Sequence, residues 1–503
     1  MDAVTAGAPE ASRTTANSAQ PQAPPSIDGG NKPRPAWFLG LDIGTSGLSA
    51  ALVNQTTEQL IPVFWQQAES SQYWFRWPID RVAEPANEGF APSAADPTAK
   101  AAVLCQLKSA LALPLRRDMA GTVEHSAEFE PAYRPLTHIL EPLNPNRSTA
   151  PTANQPWTCG GLDLDEMQFA AAMGQLCGIG VSYPAGWPDR YRTNIQNAIL
   201  EAGLISQPSA IYAVEEAIAA ATACLQSPNN GSDGNGDGGS PSASPPRLRS
   251  RLPYTVDPEG VAFVLNAGAS TTELALVNLT ALAQGKPSVL ASRTLAYAGQ
   301  ALDQDLLVHH LYPQLQGSSS TDVEQVLHQL QLDHVDQPQL GQPDVIKRLR
   351  LHLRLCSSVP GQQLLAIAQQ IKHDLQTLPQ SRYTIAQHHG HVTQDAFGHH
   401  ILLPYIRSLT QQVQSLVEQT ALSPQSARYI ICSGGTATMR VIHLWVRQCF
   451  PEADLLFSPS IERLEATELE TMSSAWLGSQ VGYGLARLPL FFQSAAESTE
   501  NTI

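Results

Sequence analysis

Leu41–Asn54 reads LDIGTSGLSAALVN, and Leu265–Asn278, a constant 224 residues later, reads LNAGASTTELALVN. Seven of the fourteen positions agree without a gap, among them Leu41/Leu265, Gly44/Gly268, Ser46/Ser270 and the closing Ala-Leu-Val-Asn. Each copy has an apolar entry (Trp37–Ile43 and Val261–Leu265), a turn of small polar residues and a β-rich exit, which is the pattern of a strand-turn-strand hairpin. A motif that opens both halves of the chain predicts two similar lobes.

Working outward, the chain of 503 residues has length for about three to five compact units. Residues 1–35 are rich in Ala, Ser, Thr, Gln, Pro and Gly without apolar periodicity, and 226–251 carries SPNNGSDGNGDGGSPSASPP. Neither composition offsets the entropy of ordering a chain. The expected organisation is a tail (1–35), a first lobe (36–225), a flexible insertion (226–251), a second lobe (252–490) and a short C-terminal tail (491–503). Apolar periodicity predicts helices over Asp189–Ala202, Val214–Leu225, Asp303–Leu311, Asp344–Cys356, Gln362–Leu375, His400–Gln419 and Thr436–Phe450, and a strand at Tyr429–Cys432. Strands alternating with helices give an α/β class.

Thirty Lys+Arg against 45 Asp+Glu leave a net charge of −15, a field that repels nucleic acid and anionic membranes. No run of about 18 apolar residues predicts a membrane span, and the first 36 residues lack the apolar core of a signal peptide, so a cytoplasmic protein is expected. The seven cysteines are scattered without a C-x-x-C pair and read as reduced thiols.

The first turn, Asp42-Ile43-Gly44-Thr45-Ser46-Gly47, has the composition to aim consecutive backbone N–H groups at an anion. The hydroxyls of Thr45 and Ser46 add donors, and Asp42 is placed to hold Mg²⁺ through water, since magnesium favours one or two carboxylates with phosphate oxygens. Asn266-Ala267-Gly268-Ala269-Ser270-Thr271 repeats the arrangement. Two such turns facing each other imply a nucleotide gripped in a cleft.

These two hairpins occur in order with Val181-Ser182-Tyr183-Pro184-Ala185, Val214-Glu215-Glu216-Ala217, Ala298-Gly299-Gln300-Ala301-Leu302-Asp303 and Ser433-Gly434-Gly435-Thr436. The series resembles the nucleotide-binding domain of DnaK-type heat-shock chaperones, of the actin, hexokinase and chaperone ATPase superfamily, from about Trp37 to Leu490. The resemblance implies a two-lobed actin-like ATPase fold of duplicated ribonuclease H-like domains around a nucleotide cleft, with ATP or ADP and Mg²⁺ as cofactors. It implies phosphate contacts at Gly44, Thr45, Ser46, Gly268, Ser270 and Thr271, nucleoside contacts at Lys372, Gly434 and Gly435, a catalytic set of Asp42, Glu215 and Asn266, and the metal at Asp42.

The departures bear on activity. Asn266 stands where the family has a metal-associated aspartate, which removes a negative charge, and Ala269 and Ser270 replace loop glycines. Glu273 lengthens a later acidic arm, no arginine follows Gly435 before Arg440, and neither Lys100 nor Lys108 lies in a motif for the family's first-lobe lysine. A DnaK-like ATP-binding switch with weak or absent hydrolysis is therefore expected, with a sugar-kinase-type phosphotransferase or a nucleotide-free actin-like scaffold as alternatives. Only thirteen residues follow Leu490, so the peptide-binding domain of a full chaperone is not expected. Leu488–Phe492 and the flexible insertion at 226–251 are then candidate readout surfaces for a protein partner. His388, His389, His391, His399 and His400 form a separate cluster with H-x-H spacing that suits transition metals.

Overall fold

A computed structural model describes residues 37–67, 70–78, 157–226, 252–286, 288–332, 335–458 and 476–500, with shorter pieces at 108, 116–117, 123–124, 136–137, 139–144, 146, 460–461 and 463–465. The expected tail 1–35 and almost all of the insertion 226–251 lie outside the described residues, as do Cys105 and Lys100. The other six cysteines are free thiols.

The fold is mixed α/β and is built on the hairpin twice. In the first half, β1 (Trp37–Ile43) pairs antiparallel with β2 (Gly47–Asn54), which pairs antiparallel with β3 (Leu60–Gln67). On its other side β1 runs parallel to β4 (Leu176–Tyr183), and β4 runs parallel to β5 (Ile211–Glu215). In the second half, β6 (Val261–Ala267), β7 (Thr272–Asn278), β8 (Val289–Leu295), β9 (Ala427–Ser433) and β10 (Asp454–Leu456) repeat these pairings. The orders β5-β4-β1-β2-β3 and β10-β9-β6-β7-β8 are the same, and four further strands extend the first sheet to nine.

The repeat extends to register. Trp37 faces Asn54 and Ile43 faces Leu48, while Val261 faces Asn278 and Ala267 faces Thr272, each pair offset by 224. The parallel pairings even shift register at equivalent places, Trp37/Phe38 and Val261/Ala262. Because side chains alternate with period two, a one-residue slip in either hairpin would turn its apolar set to the wrong face. β1, β2, β6 and β7 are buried almost throughout, which explains why they read as continuous apolar runs instead of alternating ones.

Two helices pack between the sheets. α2 (Glu216–Cys224) follows β5, and α5 (Gln480–Glu500) closes the described chain; α1 (Asp189–Glu201) packs on the far side of the first sheet with Tyr191, Ile195 and Ile199 in its core. Phe38, Ala51 and Val53 of the first sheet and Ala262, Val264, Ala275 and Val277 of the second share one core with Ala219, Ala220 and Ala223 of α2 and Val481, Leu485 and Leu488 of α5. Alanine and glycine permit the close crossing: a Cβ on Gly484 would lie 1.7 Å from the Ala219 carbonyl oxygen, and one on Gly40 would lie 2.3 Å from that of Gly482. Arg487, buried on α5, donates to the Thr222, Ala223 and Leu225 carbonyls, satisfying acceptors that a helix C-terminus leaves open.

Two expectations differ from this arrangement. The helix expected over Val214–Leu225 begins at Glu216, because Ile211–Glu215 pairs in parallel with Ile179–Tyr183 and its Ile, Tyr and Val fit a sheet. The stretch from 480 onward, expected to close the second lobe and then fray, is a helix seated on the first sheet and α2. Leu488 and Phe491 are buried there, so they are core residues and not a free surface for a partner.

Candidate functional site

Each hairpin turn is closed by one backbone bond, Gly44 N–H to Gly47 C=O at 2.9 Å and Gly268 N–H to Thr271 C=O at 3.0 Å, again offset by 224. The turns meet: the hydroxyls of Thr45 and Ser270 are hydrogen-bonded at 2.7 Å. Arg76 donates to Ser46 Oγ at 3.1 Å, which sets a guanidinium beside the first turn. Behind the second turn, Thr436 Oγ1 donates to the Gly268 carbonyl at 2.6 Å. Gly434 has φ +87°, and a Cβ there would stand 2.4 Å from the Ala267 carbonyl oxygen, so the turn admits only glycine. Gly435 borders open space, with nothing within 4 Å of a Cβ built on it. Lys372, on α4 (Val359–Asp374), is bonded to Asp303 at 2.8 Å and to the Gly299 carbonyl at 3.0 Å, at the start of α3 (Gly299–Leu306).

Beneath the turns lies a cluster of buried charge. Asp42 accepts from Ser182 Oγ at 3.0 Å and from Ser479 Oγ at 2.5 Å, so residues from β1, β4 and the start of α5 converge on one carboxylate. Asn266, its counterpart 224 residues on, donates through Nδ2 to Glu216 Oε2 at 2.6 Å. The other Glu216 oxygen is paired with the Lys108 ammonium, and both side chains are buried. Burial pushes the Glu216 carboxyl up, with Lys108 opposing.

Glu215 and Glu273 complete the cluster. Glu215, the last residue of β5, has its carboxyl pushed up by burial, with Arg192 opposing. Glu273, on β7, is fully buried, and neither of its oxygens has a hydrogen bond of normal geometry. Burial first, then the Glu216 and Glu215 charges, holds its carboxyl well above the usual range; the Ala217 N–H at the start of α2 works the other way. Asp42, Asn266, Glu215, Thr45, Ser270 and Gly268 thus come together, with Lys372 and Gly434–Gly435 on the second sheet's side. The carboxylate bonded to Asn266 is that of Glu216, not Glu215.

Lys108 is the member of this buried cluster that the sequence concealed. The residues beside it lie outside the described set, and its place is set by tertiary packing more than a hundred positions from its partner. Its only signal was being one of two lysines between the first turn and Ser182.

The turns thus carry the Thr45, Ser46 and Ser270 hydroxyls with the Arg76 guanidinium beside them. The site does not fit a divalent cation bound directly by the protein: both Asp42 oxygens accept from hydroxyls, Asn266 donates through Nδ2 to Glu216, and among the described residues no group of three His, Cys, Asp or Glu side chains is placed to hold a metal ion. That finding covers the histidine cluster too. His310, His388, His389 and His391 line an open cavity of about 540 Å³ none of whose lining residues belongs to the two turns or the buried cluster beneath them. No protein-family model matches the chain, and no curated protein matches it. Among the described residues no helix is long and apolar enough to cross a membrane.

Proposed function

We propose that this chain is a DnaK-like protein of the two-lobed actin type, its halves being duplicated ribonuclease H-like domains, that binds ATP or ADP and works as a nucleotide-dependent switch with weak or absent hydrolysis. The observation that carries the reading is the meeting of the two turns, hydroxyl to hydroxyl, at the junction of two sheets with the same order and register. A phosphate entering there replaces the Thr45–Ser270 bond with bonds from both turns to its own oxygens. Occupancy and the relative position of the turns are thereby linked. A ligand moves such an equilibrium only by preferring one arrangement, and a tenfold preference is about 1.4 kcal/mol.

The same side chains support the reading of weak hydrolysis. The Asn266 amide neither takes nor gives a proton, and its Nδ2 already donates to Glu216. Magnesium enters this reading as a companion of the phosphates, held by them and by water, with Asp42 in the outer layer. The expected readout of the switch is a protein partner; Leu488 and Phe491 being buried, the partner binds elsewhere.

The test is a thermal melt and a calorimetric titration of the full chain with ATP, ADP and GTP. A ligand at 100 times its dissociation constant stabilises the folded state by about 2.7 kcal/mol, so the melting temperature should rise with adenine nucleotides, and Gly435→Trp should abolish the rise. No rise with any nucleotide and silent calorimetry would favour a nucleotide-free scaffold, the second reading, which the mutual satisfaction of Thr45 and Ser270 also suits. Sugar-dependent ATP consumption would favour a phosphotransferase.

A further inference from the structure

Away from the two turns, four imidazoles share one cavity. His388, His389 and His391 lie on the second strand of a hairpin, Gln380–Ile385 paired antiparallel with His388–Thr393, and His310 lies on the helical turn Leu307–Leu311 that leads into Tyr312–Gln316. Together with Gln314 and Thr393 they line the open cavity of about 540 Å³, and no lining residue is acidic. In a chain of net charge −15 such a wall attracts anions as soon as its imidazoles gain protons. We propose that this cavity binds a small phosphate monoester, whose oxygens accept N–H bonds from the imidazoles and from Gln314 and an O–H bond from Thr393. The inference goes beyond the nucleotide reading and is independent of it.

Packing holds the donors in place. Tyr383, buried, donates to Gln314 Oε1 at 2.6 Å, and Gln314 Nε2 lies 3.0 Å from His310 Nε2. An amide nitrogen only donates, so His310 accepts there and carries its proton on Nδ1. A Cβ on Gly390 would stand 2.3 Å from the Tyr383 ring, so glycine at this position lets the phenol reach Gln314. Thr393 Oγ1 accepts from the Ala396 N–H at 3.2 Å, which leaves its hydroxyl hydrogen to donate. His389 Nδ1 is 2.9 Å from Thr384 Oγ1, and Nε2 is its remaining ring nitrogen.

The charges on the surrounding elements leave the wall in need of an anion. Asp303 and Asp305 of α3 are paired with Lys372 and Arg348, and Asp374 of α4 accepts from Ser381. Asp322 and Glu324 on the helix Thr321–Leu330, and Asp395 on Gln394–Phe397, lie outside the lining. His309, His328, His373 and His399 add imidazoles on these elements, and Arg382 stands opposite His391 across the hairpin. Burial first, then the His400 and His391 charges, holds His310 below its ordinary pKa. A metal ion is the wrong occupant, because the described His, Cys, Asp and Glu side chains are not placed to share one. A phosphate monoester spreads three acceptor oxygens over donors on both sides of the cavity, and its second ionisation at about pH 6 lies close to that of imidazole. A carboxylate offers only two oxygens and a single charge.

Phenyl phosphate is the probe and phenol its uncharged control, titrated into the full chain in EDTA by calorimetry and by NMR of the histidine rings. Phenyl phosphate should bind about tenfold more tightly at pH 6 than at pH 8, the worth of one hydrogen bond to a charged group. Phenol should not bind, and the His310 ring should titrate at higher pH with the ligand than without it, since an anion favours the imidazolium. His310→Gln/His391→Gln should lose the binding and keep the wild-type melt. His391→Lys, at an exposed position, retains its charge at pH 8 and should bind there as tightly as the wild type does at pH 6. Gly435→Trp, which closes the nucleotide site, should leave the binding intact, so the two readings fail separately. The proposal is overturned by no binding at pH 6, by equal affinity at the two pH values, by equal affinity for phenol, or by binding that survives the double histidine variant and is lost in Gly435→Trp. Where the double variant melts early, His391→Lys decides: affinity at pH 8 no higher than that of the wild type overturns the proposal.

Discussion

The two hairpins have one backbone and two chemistries. Strand register, the bond that closes the turn and the neighbouring parallel strand repeat at an offset of 224, yet the equivalent positions diverge. Asp42 corresponds to Asn266, and Ser49 to Glu273. In the first half the acid is satisfied locally by Ser182 and Ser479; in the second the amide reaches across to Glu216 of the other half. Backbone duplication fixes where the side chains point, and the side chains then decide which half carries charge and which half carries the bridge.

The surrounding packing is also unequal, and breaking it should give the largest effect. α5 lies on the first sheet and α2, with Gly484 against the Ala219 carbonyl. Gly484→Val forces the two helices apart; overpacking of this kind costs about 3 kcal/mol, which a denaturant titration should show as a lower midpoint. Gly435→Ala, with open space at its Cβ, should leave the midpoint within about 0.5 kcal/mol of wild type. Equal losses in the two variants would mean that α5 is not clamped as described.

Exchanging the two equivalent positions comes next. Asp42→Asn replaces a carboxylate that accepts two hydroxyls by a neutral amide, and hydrogen bonds to a charged group contribute about 2 kcal/mol. Asn266→Asp should cost a similar amount at neutral pH, because a second carboxylate then faces Glu216 where a donor stood. That loss should shrink as pH falls and the new carboxyl takes a proton, and the variant should bind Mg²⁺ more tightly than the wild type. Calorimetric melts over pH and Mg²⁺ decide it; an Asn266→Asp chain as stable as wild type and indifferent to Mg²⁺ would show that position 266 carries no charge constraint.

Much of this contrast was legible in the sequence because the hairpins are local. Fourteen contiguous residues encode strand, turn and strand, and their repetition at 224 predicted two similar lobes with facing turns; the two hairpins are present and their turns meet through Thr45 and Ser270. What stayed hidden depends on long-range packing. Ile211–Glu215 becomes a strand only because β4 lies beside it, which moved the helix boundary and gave Glu216, not Glu215, the bond to Asn266. α5 was obscured by its polar last turns, although Gly482, Gly484 and Ala486 are the small residues that a close helix crossing needs. Lys108 had no local pattern at all, since its role consists of one contact with a residue in another part of the chain.

A smaller effect, read as a slope, separates Glu273 from its counterpart Ser49. Burial raises the Glu273 carboxyl above the ordinary 4.5, so the folded chain holds a proton that the unfolded chain releases. Stability from this group is present below pH 4.5 and is lost as pH rises toward the raised value. Glu273→Gln removes that term. Its stability relative to wild type should therefore improve between mildly acid and mildly alkaline pH, and denaturant titrations at several pH values should show the two curves converging at the acid end. Parallel curves would mean that Glu273 does not carry the proton.

The smallest effect tests whether the two turns touch. Thr45 and Ser270 share a single hydroxyl pair at 2.7 Å, and a neutral hydrogen bond contributes about 1 kcal/mol net. Thr45→Ala also removes a methyl group and Ser270→Ala leaves one hydroxyl without its partner, so neither loss alone measures the bond. The double variant supplies the missing term: if the hydroxyls are bonded, its loss falls short of the sum of the single losses by about 1 kcal/mol, a coupling expected only for residues in contact. Repeating the cycle with saturating ATP sharpens the comparison of the halves. A phosphate between the turns gives each hydroxyl its own acceptor, so the coupling should vanish while the stabilisation by ATP falls in both single variants. Additive losses without ligand would show that the turns are separate in solution, and a coupling unchanged by ATP would show that no phosphate enters between them.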